Sequence, residues 1–469
     1  MRSRLTFCLP LALLMISVLS VSAQQKGNVS LWLTTPDRAS LFARQATLLR
    51  FGKSMAQVPV IEVNDKQRYQ TMDGFGFALT GGSAQLLMRM DAPQRTALLK
   101  ELFGTGDHEI GVSYLRVSIG SSDMNDHAFT YDDLASGETD VDLKSFDLGP
   151  DRTSVVPALR EILAIDPSIK ILGTPWSAPA WMKTNDDLKG GSLKPAYYDA
   201  YARYFVKYIE AMKAEGIDID AITPQNEPLN PDNTPSLVMQ AKEEATFIKQ
   251  SLGPAFRQAS IKTKILVYDH NCDRPDYPLT ILADPDARQY VDGSAFHLYG
   301  GEITALTQVH DAYPNKNVYF TEQMVVDRPR STTLDIASPV RGLIIGAPSN
   351  WSKNVLLWNL AADPNFGPHT NNGGCDSCEG AITLDGNKVT RNVGYYTVAH
   401  VSKFVRPGSV RVESSSLSAL PNVAFLTPDG KKVLVVANDG SAPQTFQIRF
   451  HGRSVTSTLS GGAVGTYVW

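Results

Sequence analysis

The chain has 469 residues, 43% of them apolar and 20% charged, with a formal net charge of −4. That length exceeds one ordinary core and predicts a large domain with a smaller one beside it. The composition is that of a soluble globular protein, and its mild acidity argues against nucleic acid or an anionic membrane as the main partner.

The chain opens on Met1-Arg-Ser-Arg4, an apolar run from Leu5 to Leu19, and Val21-Ser-Ala23. This reads as a cleavable signal peptide over residues 1–23, placing the mature protein in a secreted or periplasmic setting. A retained membrane anchor is the competing reading, and the shortness of the run for a span argues against it. No other stretch is long and apolar enough for an integral membrane span. Residues 24–72 then carry strand-like pieces, Val29–Thr34, Ala46–Phe51 and Val58–Val63, without helical period.

From Asp73 the pattern becomes short apolar runs separated by amphipathic segments. The candidate strands are Phe75–Leu79, Val112–Ser118, Ile169–Thr174, Ile219–Thr223, Lys264–Tyr268, Ser294–Leu298, Asn317–Thr321 and Asn354–Trp358. Helical spacing marks Gly82–Phe103, Ser154–Ile165 with a serine cap, Tyr198–Glu215, Pro235–Leu252, Glu302–Ala312, Leu334–Ile345 and Asn392–Phe404. Eight alternations predict an α/β fold, a (β/α)8 TIM barrel over residues 73–405. A doubly wound sheet competes, but no glycine-rich phosphate loop follows the first strand. Residues 406–469 return to strands broken by Asp-Gly and Gly-Gly turns. They predict an attached β-sandwich that the strands of residues 24–72 join.

In such a barrel the catalytic groups gather at the C-terminal ends of the strands. Reading those ends gives Arg116 and Asp123, Trp176 and Trp181, Asn226-Glu227, Asp269-His270-Asn271, His297 and Tyr299, Glu322, and Trp358-Asn359. Two glutamates, aromatic faces and amides in one cleft fit carbohydrate chemistry. A glycosidase needs one carboxyl group to protonate the leaving oxygen and a second to attack or to activate water. Glu227 and Glu322, at strands four and seven, are the candidate pair. Glu227 alone, between Pro224 and Pro228, could be a solvated turn residue. His297 could be a satisfied core histidine, Arg116 a structural ion pair, and His270 stays open. Trp181 and the stripe Tyr201/Tyr204/Phe205/Tyr208 read as packing. Cys375-Asp-Ser-Cys378 predicts a disulfide that staples its loop, a redox pair being the alternative, and Cys272 a buried thiol. No metal site and no cofactor are read from the chain.

Trp176-Ser-Ala-Pro-Ala-Trp181-Met-Lys-Thr-Asn185, Asn226-Glu227-Pro228, Tyr114-Leu-Arg116-Val, His297-Leu-Tyr299, Thr321-Glu322 and Leu357-Trp358-Asn359 together resemble the glucosylceramidase family, glycoside hydrolase family 30, from about Gly74 to Ser409. The resemblance implies the barrel and a sandwich built from both chain ends. It implies a retaining double displacement, with Glu227 as acid/base and Glu322 as nucleophile. It implies that Asn226 holds the sugar 2-hydroxyl, that Trp176 and Trp358 contact sugar, that Tyr299 orients Glu322 and that Arg116 keeps it ionised. Glu322 must be charged to attack, and Glu227 must hold a proton. From the Gly373-Gly-Cys375-x-x-Cys378 loop, Asn371 or Asn372 would add a sugar contact, and Asn371 is taken as the candidate.

One departure stands out. Where glucosylceramidases carry Gly-Gly-Ala-Met-Thr-Asp after the first strand, this chain has Phe77-Ala-Leu-Thr80-Gly81-Gly82. Loss of that aspartate suggests an opened floor that admits a further sugar. The reading taken forward is therefore an exported β-glucoside hydrolase acting on β-1,6-linked glucan. The alternatives are a glucosylceramidase with a glycolipid substrate, a β-xylosidase or β-fucosidase, and a degenerate barrel that binds carbohydrate without cleaving it.

Overall fold

The computed structural model describes residues 28–54, 57–327 and 333–469. The signal-peptide expectation lies outside them. Among the described residues, no helix is long and apolar enough to cross a membrane.

Eight parallel strands form the larger unit, in chain order Gly74–Ala78, Tyr114–Ser118, Lys170–Thr174, Ala221–Ile222, Lys264–Cys272, Val291–Gly301, Asn317–Glu322 and Asn354–Asn359. The first seven pair with their sequence neighbours, and the eighth pairs with the first, with Val355 opposite Phe75. Strands seven and eight meet through a Val318–Ser352 bridge, while the Asn354 carboxamide oxygen accepts the Phe320 N–H at 2.9 Å. The eight strands fall where the alternation of the sequence puts them, within a few residues. The fourth is shorter than expected because Asp220 accepts the Ile171 N–H with its side chain and Pro224 has no N–H to offer. The barrel interior is filled by Tyr114, Leu172, Ala221, Leu266, Ala295, Tyr319 and Leu356, inward-facing residues of successive strands.

The helices need more correction. The expected helix over 82–103 is two, Gly81–Arg89 and Ala92–Phe103, because Met90 turns extended and Pro93 starts the second. Ser154 does not cap Val155–Ile165; its hydroxyl donates to the Pro150 carbonyl instead. Residues 235–240 form a loop, and the helix begins at Ala241, where Glu243 accepts the Gln240 N–H. Residues 340–345 run as a π-helical turn.

The second unit joins both chain ends in one sheet. Asn28–Thr34 pairs antiparallel with Val464–Val468, and Val60–Thr71 lies between Val410–Ser414 and Gln444–Phe450. Arg453–Leu459 is a strand that the sequence reading passes over, since Arg-Ser-Val-Thr-Ser-Thr carries little apolar signal. Val29, Ile61, Leu434, Ile448 and Tyr467 build its core. The seam with the barrel is polar at one point: fully buried His400, on helix Val393–Ser402, bonds the hydroxyls of Thr34 (2.7 Å) and Thr466 (2.9 Å). Burial pushes its imidazole down to about 3, so it is neutral at ordinary pH.

Leu172→Ala, inside the barrel, is expected to cost about 2–5 kcal/mol of stability. Val141→Ala, at an exposed loop position, is expected to stay within about 0.5 kcal/mol. Thermal and urea unfolding of the two variants checks the contrast, and similar losses would contradict the assigned core.

Candidate active site

Thr-Pro at 223–224 ends the fourth strand, and the chain turns sharply there. The Asn226 N–H donates to the Pro175 carbonyl and the Glu227 N–H to the Asp269 carbonyl, tying this exit to strands three and five. Glu227 (φ 44°), Tyr268 (φ 79°) and Asp269 (φ 53°) occupy the left-handed region, which side-chain-bearing residues rarely adopt. Such strain persists only where the surroundings enforce it, and it concentrates at functional sites.

At the centre lies Arg116, with no exposed surface. Its Nη1 donates to Glu322 Oε2 at 2.6 Å, and its Nη2 to Asn226 Oδ1 at 2.7 Å and to Asp269 Oδ2 at 2.8 Å. The guanidinium lies 4.8 Å from the Trp176 ring and 5.8 Å from that of Trp358. Those two indoles are 5.4 Å apart and form one wall of a cavity of about 480 Å³. Because Asn226 gives its oxygen to Arg116, its NH2 remains for a ligand.

Asp269 is the second hub. Besides Arg116 it accepts from Thr223 and Thr321 and contacts His297 Nε2 at 3.1 Å. The other His297 nitrogen, Nδ1, lies 3.1 Å from Glu227 Oε1 and 3.9 Å from Glu322 Oε1. Glu227 Oε2 also accepts from Asn230 at 2.7 Å. Glu322 Oε1 accepts from the Tyr299 hydroxyl at 3.0 Å, and that hydroxyl in turn accepts the Met324 N–H. Ligand-type atoms of Glu227, His297 and Glu322 all lie within 4.8 Å of one another. The trio could reach a metal ion by spacing, but a cation there would sit against the Arg116 guanidinium.

The charges settle as a coupled set. Burial opposes a charged His297, but Glu322, Asp269 and Glu227 outweigh it and push the imidazole up to about 9. Burial would raise Glu227, but its bond to His297, with His270 and Asn230 adding, brings it down to about 2. Glu322 stands above its ordinary value through burial and the neighbouring Glu227 and Asp269, against His297 and Arg116. Without substrate these shifts favour a proton on His297 over one on Glu227, where the sequence expectation puts it on Glu227. Asp123 is pushed up to about 8 by burial and by Glu322 and Glu227; neutral at pH 7, it lines the cavity with Oδ1 unpaired.

Of the residues singled out in the sequence, Arg116, Trp176, Asn226, Glu227, His297, Tyr299, Glu322 and Trp358 come together here. Asn371 does not; it is exposed, away from the cavity lining, while the neighbouring Asn372 carbonyl accepts from Lys189 and Thr234. Trp181 packs below, its indole N–H on the Asp132 carbonyl. Cys375 and Cys378 are disulfide-bonded in the cavity wall, and Cys272 is a buried free thiol. The opened floor is absent. A side chain at Gly81 would strike Asn125 at 2.0 Å, and one at Gly82 the Met124 carbonyl at 2.5 Å, so neighbouring loop atoms fill that space. Sequence reading missed Asp269 as a hub and Asn230 altogether. It also missed Lys183, whose buried Nζ joins Ser177 to the Ser236 carbonyl and is lowered to about 7 by burial. Asn230, three residues beyond Glu227 on the same turn, was the findable one.

A second cavity, of about 530 Å³, lies elsewhere, lined by Trp32, Phe42, Arg44, His108 and Tyr396. It holds none of this network.

The family model described as "Glycosyl hydrolase family 30 TIM-barrel domain" matches residues 72–405, and "Glycosyl hydrolase family 30 beta sandwich domain" matches residues 408–467. The chain is 37% identical over 389 residues to an endo-1,6-beta-D-glucanase of Neurospora crassa, covering 79% of each. It is 28% identical over 438 residues to the lysosomal acid glucosylceramidase of Mus musculus, covering 87% of this chain and 83% of that one. A solved endo-beta1,6-glucanase superposes with a TM-score of 0.86 at 36% identity, over 94% of this chain and 99% of that one.

His297 gives a pH signature. Its raised value means that its stabilising contribution is complete below about pH 6.5 and is lost as pH rises through about 9. His297→Asn should remove that part of the decline, so the stability gap between wild type and variant narrows from pH 6.5 to 9. A gap constant over that range would mean that His297 is not charged.

Proposed function

The chain belongs to glycoside hydrolase family 30, and on that premise we propose that it is a retaining endo-β-1,6-glucanase in which Glu322 is the nucleophile and Glu227 the acid/base. That it is a glycoside hydrolase follows from the family. The linkage is supported by the glucanase relatives and the solved glucanase, each of which matches most of both chains. The single observation that supports the retaining reading is the close approach of the two glutamates, one carboxylate oxygen of each lying within 4.8 Å of the other. Retaining pairs stand about 5–5.5 Å apart, whereas inverting pairs leave about 6.5–9.5 Å for a water.

In the first step a Glu322 oxygen attacks the anomeric carbon while the bond to the leaving oxygen breaks. Arg116 and Tyr299 hold the carboxylate in line for attack. The leaving oxygen takes a proton from Glu227, which draws it from His297 across their 3.1 Å contact. The Asn226 amide bonds the sugar 2-hydroxyl, a contact that strengthens as the ring gains oxocarbenium character. In the second step water replaces the aglycone, loses its proton through Glu227 back to His297, and attacks the anomeric carbon to release Glu322. The unpaired Asp123 and the Trp176–Trp358 wall hold the glycone. Export to a secreted or periplasmic compartment, on the strength of residues 1–23, completes the reading.

Glu322→Gln should abolish hydrolysis of β-1,6-glucan, and Glu227→Ala should slow it by about 10²–10⁴-fold, with azide restoring turnover of aryl glucosides. NMR of the first product should show the β-anomer. Undiminished activity in Glu322→Gln, or an α-anomer, would overturn the mechanism; ceramide release from glucosylceramide without glucan cleavage would overturn the substrate.

A further inference from the structure

His270 follows Asp269 at the end of strand five and lines the cavity. It is 9% exposed, and its Nδ1 is buried with no hydrogen-bond partner among the described residues. A buried polar atom in a packed site is normally satisfied, so an orphan beside a reaction cavity calls for a ligand. The rest of this arc is spoken for: Asn271 gives Oδ1 to the Tyr299 N–H, His297 bridges Glu227 and Asp269, and Asn230 serves Glu227.

Its place around the barrel tells which part of the substrate it meets. Asp123, Trp176 and Asn226 lie in the loops that follow strands two, three and four, and Trp358 lies on strand eight. Together with the free Asn226 amide they define the side that takes the glycone. His270 stands on strand five, one strand further around the barrel than the exit that carries Glu227. Its ring lies 6.4 Å from that of His297. Burial holds its imidazole below the ordinary value, so at neutral pH it offers an uncharged nitrogen. An uncharged nitrogen suits a sugar hydroxyl, a group that a ceramide or aryl leaving group does not present as a ring of donors.

We propose that His270 binds a hydroxyl of the leaving-group sugar and so selects a glycan over lipid and aryl leaving groups. This rests on the glucanase reading and adds to it the residue that recognises the departing unit.

The test compares wild type, His270→Ala and His270→Gln on a linear β-1,6-gluco-oligosaccharide and on an aryl β-glucoside. It also measures glucosyl transfer from the aryl glucoside to added glucose, with thermal midpoints recorded for all three proteins. His270→Ala should lose about tenfold more kcat/KM on the oligosaccharide than on the aryl glucoside, the scale of one hydrogen bond. Its transfer-to-hydrolysis ratio should fall in step, and His270→Gln should keep part of both. Equal losses on the two substrates with an unchanged transfer ratio would overturn the proposal, because His270 would then act on Glu227. No loss on either would overturn it as well. A wild type that cleaves the aryl glucoside but not the β-1,6 linkage sinks the glucanase reading alone, and the transfer ratio still decides His270. A wild type that cleaves neither overturns both.

Discussion

One buried positive charge organises the mouth of this barrel. Arg116 has no exposed surface, and a guanidinium without water is tolerated only when its charge is matched, here through Nη1 and Nη2, while Nε has no hydrogen-bond partner among the described residues. The matching groups come from strands four, five and seven: Asn226, Asp269 and Glu322. Removing one partner of such a network generally costs about 3–5 kcal/mol, because the remaining charge is left buried and uncompensated. Arg116 is thus a strut as well as a counter-charge. It sets the rotation of Glu322, decides which face of the Asn226 amide meets the substrate, and backs the two indoles that wall the cavity. The positive φ at Glu227 and Asp269 is tolerated because these bonds, and the Glu227 N–H on the Asp269 carbonyl, hold the chain there.

The same network determines where the protons are. Asp269, Glu227 and Glu322 bring three potential negative charges, and Arg116 with protonated His297 supplies two positive ones. A further buried carboxylate would worsen the imbalance, so Asp123 stays neutral to about pH 8. With His297 charged, Glu227 needs no proton of its own in the unliganded site. Acid catalysis then depends on a transfer between neighbours, and not on a single residue of raised pKa. The imidazolium and the carboxylate it serves already share a 3.1 Å contact, so the transfer is short, but it runs against their resting preference. In the proposed first step, esterification of Glu322 removes the negative charge that does most to hold His297 protonated. The proton is then released at the stage when the leaving oxygen needs it.

Much of this was legible in the sequence because strand ends are legible. A strand of apolar residues that stops at a polar one places that residue at the rim, and this rule found Arg116, Glu227, His297 and Glu322. Their connections were not legible. Nothing in Tyr-Asp-His says that Asp269 turns inward to Arg116, Thr223, Thr321 and His297 while the Nδ1 of His270 is left without a partner; that depends on a left-handed backbone held by contacts from other strands. Gly81-Gly82 misled for a related reason. A missing side chain reads as space, yet the loop carrying Met124 and Asn125 closes over both glycines. Asn371 failed because the loop over residues 363–380 takes its course from long-range bonds, such as that from Lys189 to the Asn372 carbonyl. Helix ends were misread where prolines and side-chain substitutes redirect the chain, at Asp91 and before Ala241.

The cavity is unequal in its two halves, and the inequality bears on how one family serves different substrates. The half proposed for the glycone is locked: Arg116 fixes Asn226 and Glu322 and lies against Trp176, so a change there disturbs the barrel itself. The half proposed for the leaving group is assembled from loops. Residues 228–236 are pinned by Lys183 on the Ser236 carbonyl and by Thr370 on the Thr234 carbonyl, and the Cys375–Cys378 loop packs beside them. Substitutions in these loops can reshape the pocket without touching the buried charge network. A glucan and a glycolipid substrate present the same β-glucosyl unit and differ in what departs. A scaffold that holds the shared half rigid and leaves the other to loops, with an unpaired histidine at their junction, can therefore change leaving groups while keeping its chemistry. Selectivity in this chain should then reside between strand four and strand six, and not in the tryptophans that first marked the site as one for sugars.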